Sequence, residues 1–208
     1  MSVLSRLAVI AAISIAACSQ GEPAASASTV QSGADSGRRE VAVFAGGCFW
    51  STEANFEHMP GVVSAVSGFA GGTVSNPSYD QVVRGGTGHL EAVQVTYDPA
   101  RITYRQLVDR FWRTIDPTDP DGQFCDQGAP YATAVFATAA QRPIAEASRA
   151  AAVAVIGERR FVTPVRNGAR FWPAESYHQD FARLNPVRYG GYTRFCGREA
   201  RLRAVWGR

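Results

Sequence analysis

The sequence predicts one α/β domain, a two-layer sandwich of sheet and helices joined by long loops, and three observations carry that prediction. The chain has 208 residues, enough for one full hydrophobic core and too few for two ordinary domains once a leader is set aside. Its composition, 46% hydrophobic and 19% charged, is that of a globular chain. From Glu40 onward strand and helix patterns alternate without an internal repeat or a low-complexity stretch.

Each element follows from a local pattern. Val41 to Phe44 reads as a buried strand that stops at Gly46-Gly47, and Cys48 to Glu57 as a short helix. After Pro60-Gly61, Val62 to Val66 is strand-like and ends in the glycine-rich run Gly68 to Gly72. His89 to Tyr97 alternates as a strand before Asp98-Pro99. Thr103 caps a helix in which Tyr104, Leu107, Val108, Phe111, Trp112 and Ile115 share one wide apolar face, and Asp116-Pro117 ends it. A strand over Ala132 to Ala137 leads to a helix opened by Thr138, with Pro143 near its first turn and Gly157 at its end. Phe161 to Val165 is a further candidate strand.

The N-terminal segment has a different character. Arg6 precedes an apolar run, Leu7 to Ala17, with the length of a signal-peptide core and too short to span a bilayer. Residues 1–17 are therefore expected to be a leader of the lipoprotein type, because Ile15-Ala16-Ala17-Cys18 resembles a bacterial lipobox. On that resemblance Cys18 is the lipid anchor, and the protein is exported and membrane-anchored, facing the periplasm or the cell exterior. The alternative is a leader cut further on, near Ala25 to Ser28, with Cys18 discarded. Residues 18–39 are rich in Ser, Ala and Gly and read as a tether spanning on the order of 25 Å.

Charge narrows the partners. The net charge of +3 is small, and the basic residues are arginines spread along the chain, so no nucleic-acid partner is expected. Arg194 to Arg208 read as a solvated terminus that pairs with carboxylates. His58, His89 and His178 lie far apart with no paired spacing, so they read as hydrogen-bonding residues and no metal site is expected. Asp116, Asp119 and Asp121 resemble a calcium loop only faintly, since prolines interrupt them, and read as turn residues.

Two features carry chemistry. Gly46-Gly47-Cys48-Phe49-Trp50 puts a cysteine at a strand-to-helix junction, where helix amides stabilise an anion and favour a thiolate nucleophile with a lowered pKa. The competing reading is a small buried core residue. Glu91 alternates in phase with Val93 and Val95, which puts it on the core face, where a carboxyl would stay protonated and could donate a proton. On an exposed edge strand the same residue would face water.

Taken in order, Ala45-Gly46-Gly47-Cys48-Phe49-Trp50, Gly68-Phe69-Ala70-Gly71-Gly72, Asn76-Pro77-Ser78-Tyr79, Thr87-Gly88-His89-Leu90-Glu91 and Tyr97-Asp98-Pro99 resemble the peptide methionine sulfoxide reductase A family. Asp116-Pro117-Thr118, Asp126-Gln127-Gly128 with Tyr131, and Ala174-Glu175-Ser176-Tyr177-His178-Gln179 continue the match, which covers essentially all of Glu40 to Pro186, within a catalytic domain expected over residues 40–208. The chain departs from the common pattern around Tyr131, lacking a Gln before it and an Arg after it, and in its tail, which reads Tyr192-Thr193-Arg194-Phe195-Cys196-Gly197.

The resemblance implies a ferredoxin-like sandwich and a thiol enzyme that reduces the S epimer of methionine sulfoxide, peptide-bound or free, in the repair of oxidised proteins. Cys48 would attack the sulfoxide and become a sulfenic acid, while Glu91, Tyr79 and Tyr131 surround the oxygen. Phe49 and Trp50 would cradle the substrate methyl group, with Asp126 supporting the pocket. Cys196, in a glycine-flanked tail, is the expected resolving thiol, with Cys125 the alternative and a static Cys125–Cys196 disulfide a third possibility. The resemblance further implies no bound cofactor, recycling by a thioredoxin-like dithiol, and a monomer. Phe171-Trp172-Pro173 would either line the site or pack beneath it.

Overall fold

The computed structural model describes residues 37–207. The expected leader, the Cys18 anchor and most of the tether lie outside the described residues.

A six-stranded sheet organises the domain. Its strands are β1 (Glu40–Gly46), β2 (Val62–Ala70), β3 (Leu90–Tyr97), β6 (Thr133–Ala137), β7 (Val165–Asn167) and β8 (Phe171–Pro173), in the order β7-β6-β1-β3-β2-β8. All neighbours are antiparallel except β6 and β7. A separate two-residue-arm hairpin, β4 (Gly122–Gln123) and β5 (Asp126–Gln127), turns at Phe124-Cys125. The helices are α1 (Phe49–Glu57), α2 (Tyr79–Val83), α3 (Tyr104–Trp112), α4 (Arg142–Ile156), α5 (Phe181–Leu184), α6 (Pro186–Phe195) and α7 (Arg198–Trp206).

Alternation along the strands divides the core. Phe44, Phe69, Val93, Val95, Tyr97 and Val135 point to one face, where they pack with Phe56 of α1, Leu107, Val108, Phe111 and Trp112 of α3, Ile156 of α4 and Trp206 of α7. The opposite face buries a smaller cluster, Val43, Ala45, Ala70, Leu90, Ala92, Ala134 and Phe136. Helix α3 begins with a complete capping box between Thr103 and Gln106, and α4 ends at Gly157 as its pattern predicts.

Several boundaries depart from the sequence reading. Strand β2 continues through Gly68-Phe69-Ala70, because Gly68 has no side chain to obstruct β8: a Cβ there would sit 2.2 Å from the Trp172 carbonyl oxygen. Phe161 is buried as irregular chain, and the strand expected at Phe161 to Val165 begins only at Val165. The glycine-flanked tail, for which no element was predicted, is helical, α6 and α7. Nor is the arginine-rich end wholly solvated. Arg198 is buried, stacked 4.3 Å over the Phe124 ring and donating to the Thr114 carbonyl, while Arg201 pairs with buried Asp116 at 2.6 Å.

These contacts rank two substitutions. Phe111→Ala, which empties a fully buried site beside Phe44 and Phe56, should cost about 3–5 kcal/mol. Thr103→Ala, which removes one cap, should cost about 1 kcal/mol. Urea unfolding of the two variants measures both, and the reverse ranking would show that α3 is not the packing element described.

Candidate active site

The site is assembled at the junction of β1 and α1. Gly47 adopts φ +76°, and a Cβ there would lie 2.5 Å from the Gln123 side chain, so the chain can reverse at this point only without one. Gln123 is itself fully buried and clamps the loop through Asp116, accepting from its N–H at 2.8 Å and donating to its carbonyl at 2.7 Å. Cys48 follows as the N-cap of α1, its carbonyl accepting from Ser51 at 3.1 Å and Thr52 at 3.3 Å.

Glu91 lies on the core face of β3, opposite Phe69 of β2, and is 1% exposed. Its Oε2 accepts the Phe49 N–H at 2.9 Å, which ties the start of α1 to the middle of the sheet. Burial pushes its pKa up to about 8, the Phe49 N–H opposes that rise, and the nearby charge of Asp126 adds to it. Glu91 is therefore mostly a neutral acid at pH 7.

The Cys48 thiol does not behave as its helix position alone predicts. The Trp50 amide and the Tyr192 hydroxyl favour the thiolate, yet burial outweighs them, and with the charges of Glu91 and Asp126 the thiol is pushed up to about 12. The expectation of a lowered pKa is thus overturned for the resting site, because a helix amide contributes less than removal from water costs. Cys48 rests as a buried thiol.

Around this pair stand the other expected residues. Tyr79 opens α2, whose capping box at Ser78 fixes the helix start, and its N–H donates to Glu175 Oε1 at 3.0 Å. Its hydroxyl meets that of Tyr131, and burial followed by the charge of Glu91 raises the pKa of both tyrosines, so both remain hydroxyl donors. Asp126 on β5 accepts from the Tyr192 hydroxyl. Phe49 and Trp50 are buried and half-buried respectively. The Trp50 ring stacks on Phe181 at 3.7 Å and its Nε1–H donates to His178 Nδ1 at 3.1 Å.

All three histidines hydrogen-bond: His58 to the Ala54 carbonyl, His89 to Gly72 N–H and the Val74 carbonyl, and His178 to Trp50. Among the described residues no group of three or more His, Cys, Asp or Glu could hold a metal. Trp172 lies on β8 in the sheet, stacked beneath Arg170 at 4.0 Å.

Cys196 is bonded to Cys125, the third of the arrangements that the sequence left open. Sequence reasoning missed Tyr192, which sits one helical turn before Cys196 on α6 and touches both Asp126 and Cys48. The spacing of four was legible, but only if the tail was read as helix. It also missed Gln179, which accepts from Ser67 N–H and donates to the Ser67 and Ala174 carbonyls, fixing the His178 segment to β2.

A family model described as peptide methionine sulfoxide reductase matches residues 40–208. Peptide methionine sulfoxide reductase MsrA 2 of Caulobacter vibrioides is 49% identical over 170 residues, covering 82% of this chain and 87% of that protein. The MsrA of Bacillus licheniformis is 43% identical, covering 82% of this chain and 96% of its own. Among solved structures, methionine sulfoxide reductase A of Corynebacterium diphtheriae superimposes with a TM-score of 0.64 at 32% identity, covering 72% of this chain and 76% of that one. Mxr1 of Saccharomyces cerevisiae in its reduced form gives 0.67 at 31% identity, covering 72% and 87%. The order of motifs, the mixed α/β fold and these matches agree: the chain belongs to the peptide methionine sulfoxide reductase family, in its A class, and is an oxidoreductase that reduces methionine sulfoxide.

Proposed function

We propose that the enzyme reduces the S epimer of methionine sulfoxide, peptide-bound or free, through a sulfenic acid on Cys48, and so repairs oxidised proteins. The observation that carries this reading is the neutral, buried Glu91 beside the Cys48 thiol, with two tyrosine hydroxyls facing the same space. A sulfoxide oxygen leaves only after protonation, and Glu91 is an acid held in the form that can supply the proton. Cys48 bonds to the substrate sulfur as Glu91 protonates the oxygen. The thiol proton of Cys48 replaces the one that Glu91 gave up. Transfer of the hydroxyl to Cys48 releases the thioether and leaves Cys48 as a sulfenic acid, so one thiol is oxidised for each sulfoxide reduced.

Tyr79 and Tyr131 donate to the oxygen, Asp126 supports the pocket through Tyr192, and Phe49 with Trp50 forms the apolar seat for the methyl group. Cys196 is the resolving thiol once it is reduced, and a thioredoxin-like dithiol recycles the enzyme, which needs no bound cofactor and works as a monomer. The antiparallel order β6-β1-β3-β2 with α1 and α3 supports reading the core as ferredoxin-like, elaborated by β7, β8 and the C-terminal helices. The lipobox resemblance supports an exported lipoprotein anchored through Cys18, with the catalytic domain held from the membrane by residues 18–39.

Four outcomes are expected. Cys48→Ser should abolish methionine formation from either free or peptide substrate while circular dichroism and unfolding midpoint stay close to wild type; residual turnover would remove the mechanism. For wild type, kcat/KM should hold steady up to about pH 8 and fall above it, because Glu91 loses its proton there. Glu91→Gln, which keeps an acceptor for the Phe49 N–H but cannot protonate the oxygen, should lower kcat/KM by about 10²–10⁴ and abolish that alkaline limb. Mass spectrometry of the protein from its native host should find diacylglycerol on Cys18; a mature N-terminus beyond that residue would refute the anchor.

A further inference from the structure

The C-terminal segment has a charge balance unlike the rest of the chain. Residues 181–208 hold seven arginines and a single acid, Glu199, while the whole chain carries a net charge of only +3, so the remainder is net acidic. Helix α6 lies in this segment and has no acidic residue. Its Tyr189 and Tyr192 are half-buried, whereas Val187, Arg188, Gly191, Arg194 and Phe195 are exposed. At 3.6 residues per turn those five fall on one contiguous arc of about 120°. Val187 and Phe195 are each 88% exposed, more than any other large apolar side chain among the described residues, and Leu184 just before the helix is 62% exposed. Neither Arg188 nor Arg194 pairs with a carboxylate among the described residues. Arg194 also lines a cavity of about 660 Å³ between α6 and α7, together with Arg198 and Arg203, in which Glu199 is the only acid.

We propose that the outward face of α6 is a docking surface for an anionic phospholipid bilayer, and that it directs the enzyme to methionine sulfoxide presented at that surface. Apolar side chains and unpaired cations on one helix face, with no acid between them, are what an interfacial helix offers a membrane: Val187 and Phe195 enter the headgroup boundary while Arg188 and Arg194 meet lipid phosphates. Arginine suits that contact because its planar fork binds two phosphate oxygens at once. The arginine-lined cavity behind Arg194 gives a phosphate headgroup a second place to bind. The choice of a bilayer as the occupant rests on the lipoprotein reading above. A Cys18 anchor with a tether spanning on the order of 25 Å keeps the domain at high effective concentration near the lipid, so a face of modest affinity is enough to dock it. Docking would also bring the site to the membrane, since the other side of α6 carries Tyr192, which touches Cys48, and Phe181 just before it stacks on Trp50.

The test is co-sedimentation of residues 18–208 carrying Cys18→Ser, which cannot be lipidated, with vesicles of phosphatidylglycerol and phosphatidylcholine in equal parts. This protein should bind them at low salt, and at least tenfold more weakly in about 0.5 M salt or with phosphatidylcholine alone. Arg188→Ala combined with Arg194→Ala should weaken binding about 25-fold, roughly fivefold for each arginine, and Phe195→Ala on its own about tenfold. All of these variants should turn over free methionine sulfoxide with dithiothreitol as the parent does, which shows that they are folded. On a methionine sulfoxide peptide tethered to the same vesicles, the parent should work about tenfold faster than on phosphatidylcholine, and the variants should lose that advantage. Equal binding to the two lipids, or variants that bind as the parent does, would overturn the proposal. So would variants that keep vesicle binding but lose thioredoxin-driven turnover of free substrate, an outcome that assigns the face to a protein reductant. Because the tested protein carries no lipid, a failure to find diacylglycerol on Cys18 of the native protein would count against the anchor and leave this measurement standing.

Discussion

A single hydrogen bond, from the Phe49 N–H to the Glu91 carboxyl, fixes the relation of Cys48 to Glu91 on which the site depends. It joins the first residue of α1 to the middle of β3, so Cys48, one residue before Phe49, cannot move away from Glu91 without breaking it. Bringing a carboxyl into the core for this purpose costs solvation, and the group meets that cost by keeping its proton. The property that makes Glu91 tolerable in the core is the one that makes it an acid.

Electrostatics then couples the whole pocket. Cys48, Glu91 and Asp126 would each carry negative charge on ionisation: the charges of Glu91 and Asp126 disfavour the Cys48 thiolate, and that of Asp126 disfavours ionisation of Glu91. Asp126 is itself raised by burial, while Tyr192 and the buried Arg198 oppose that rise. Arg198 comes from the far end of the chain and sits over Phe124, on the turn that carries Cys125 and Asp126. The C-terminal helices are therefore part of the electrostatics of the site.

Aromatic packing supplies the remaining shape. Phe49 packs among Phe69, Tyr79 and His178, with His178 at 4.9 Å, and Trp50 is held between its stack on Phe181 and its bond to His178. Gln179 and Glu175 brace the same segment against β2 and α2. Rings with few rotamers, held by neighbours that hydrogen-bond the backbone, give an apolar surface beside the thiol at little further entropic cost.

The sequence by itself determined the elements with strong local signals: α3 from its apolar period and cap, β3 from its alternation, the β1–α1 turn from two glycines, and through its ordered motifs the family. Cys48 and Glu91 stood out through local patterns of their own, whereas Tyr79, Tyr131 and Asp126 were expected only through the family resemblance. The tertiary structure alone decided three matters that depend on distant neighbours. The pKa of Cys48 turned on burial beneath other elements, which no local pattern reports. The pairing of Cys125 with Cys196 joined residues 71 apart in sequence, and spacing cannot choose among such pairings. Tyr192 and Arg198 came to the pocket only because a tail with a weak helical pattern folds into α6 and α7 against the rest of the domain, where packing outweighs propensity.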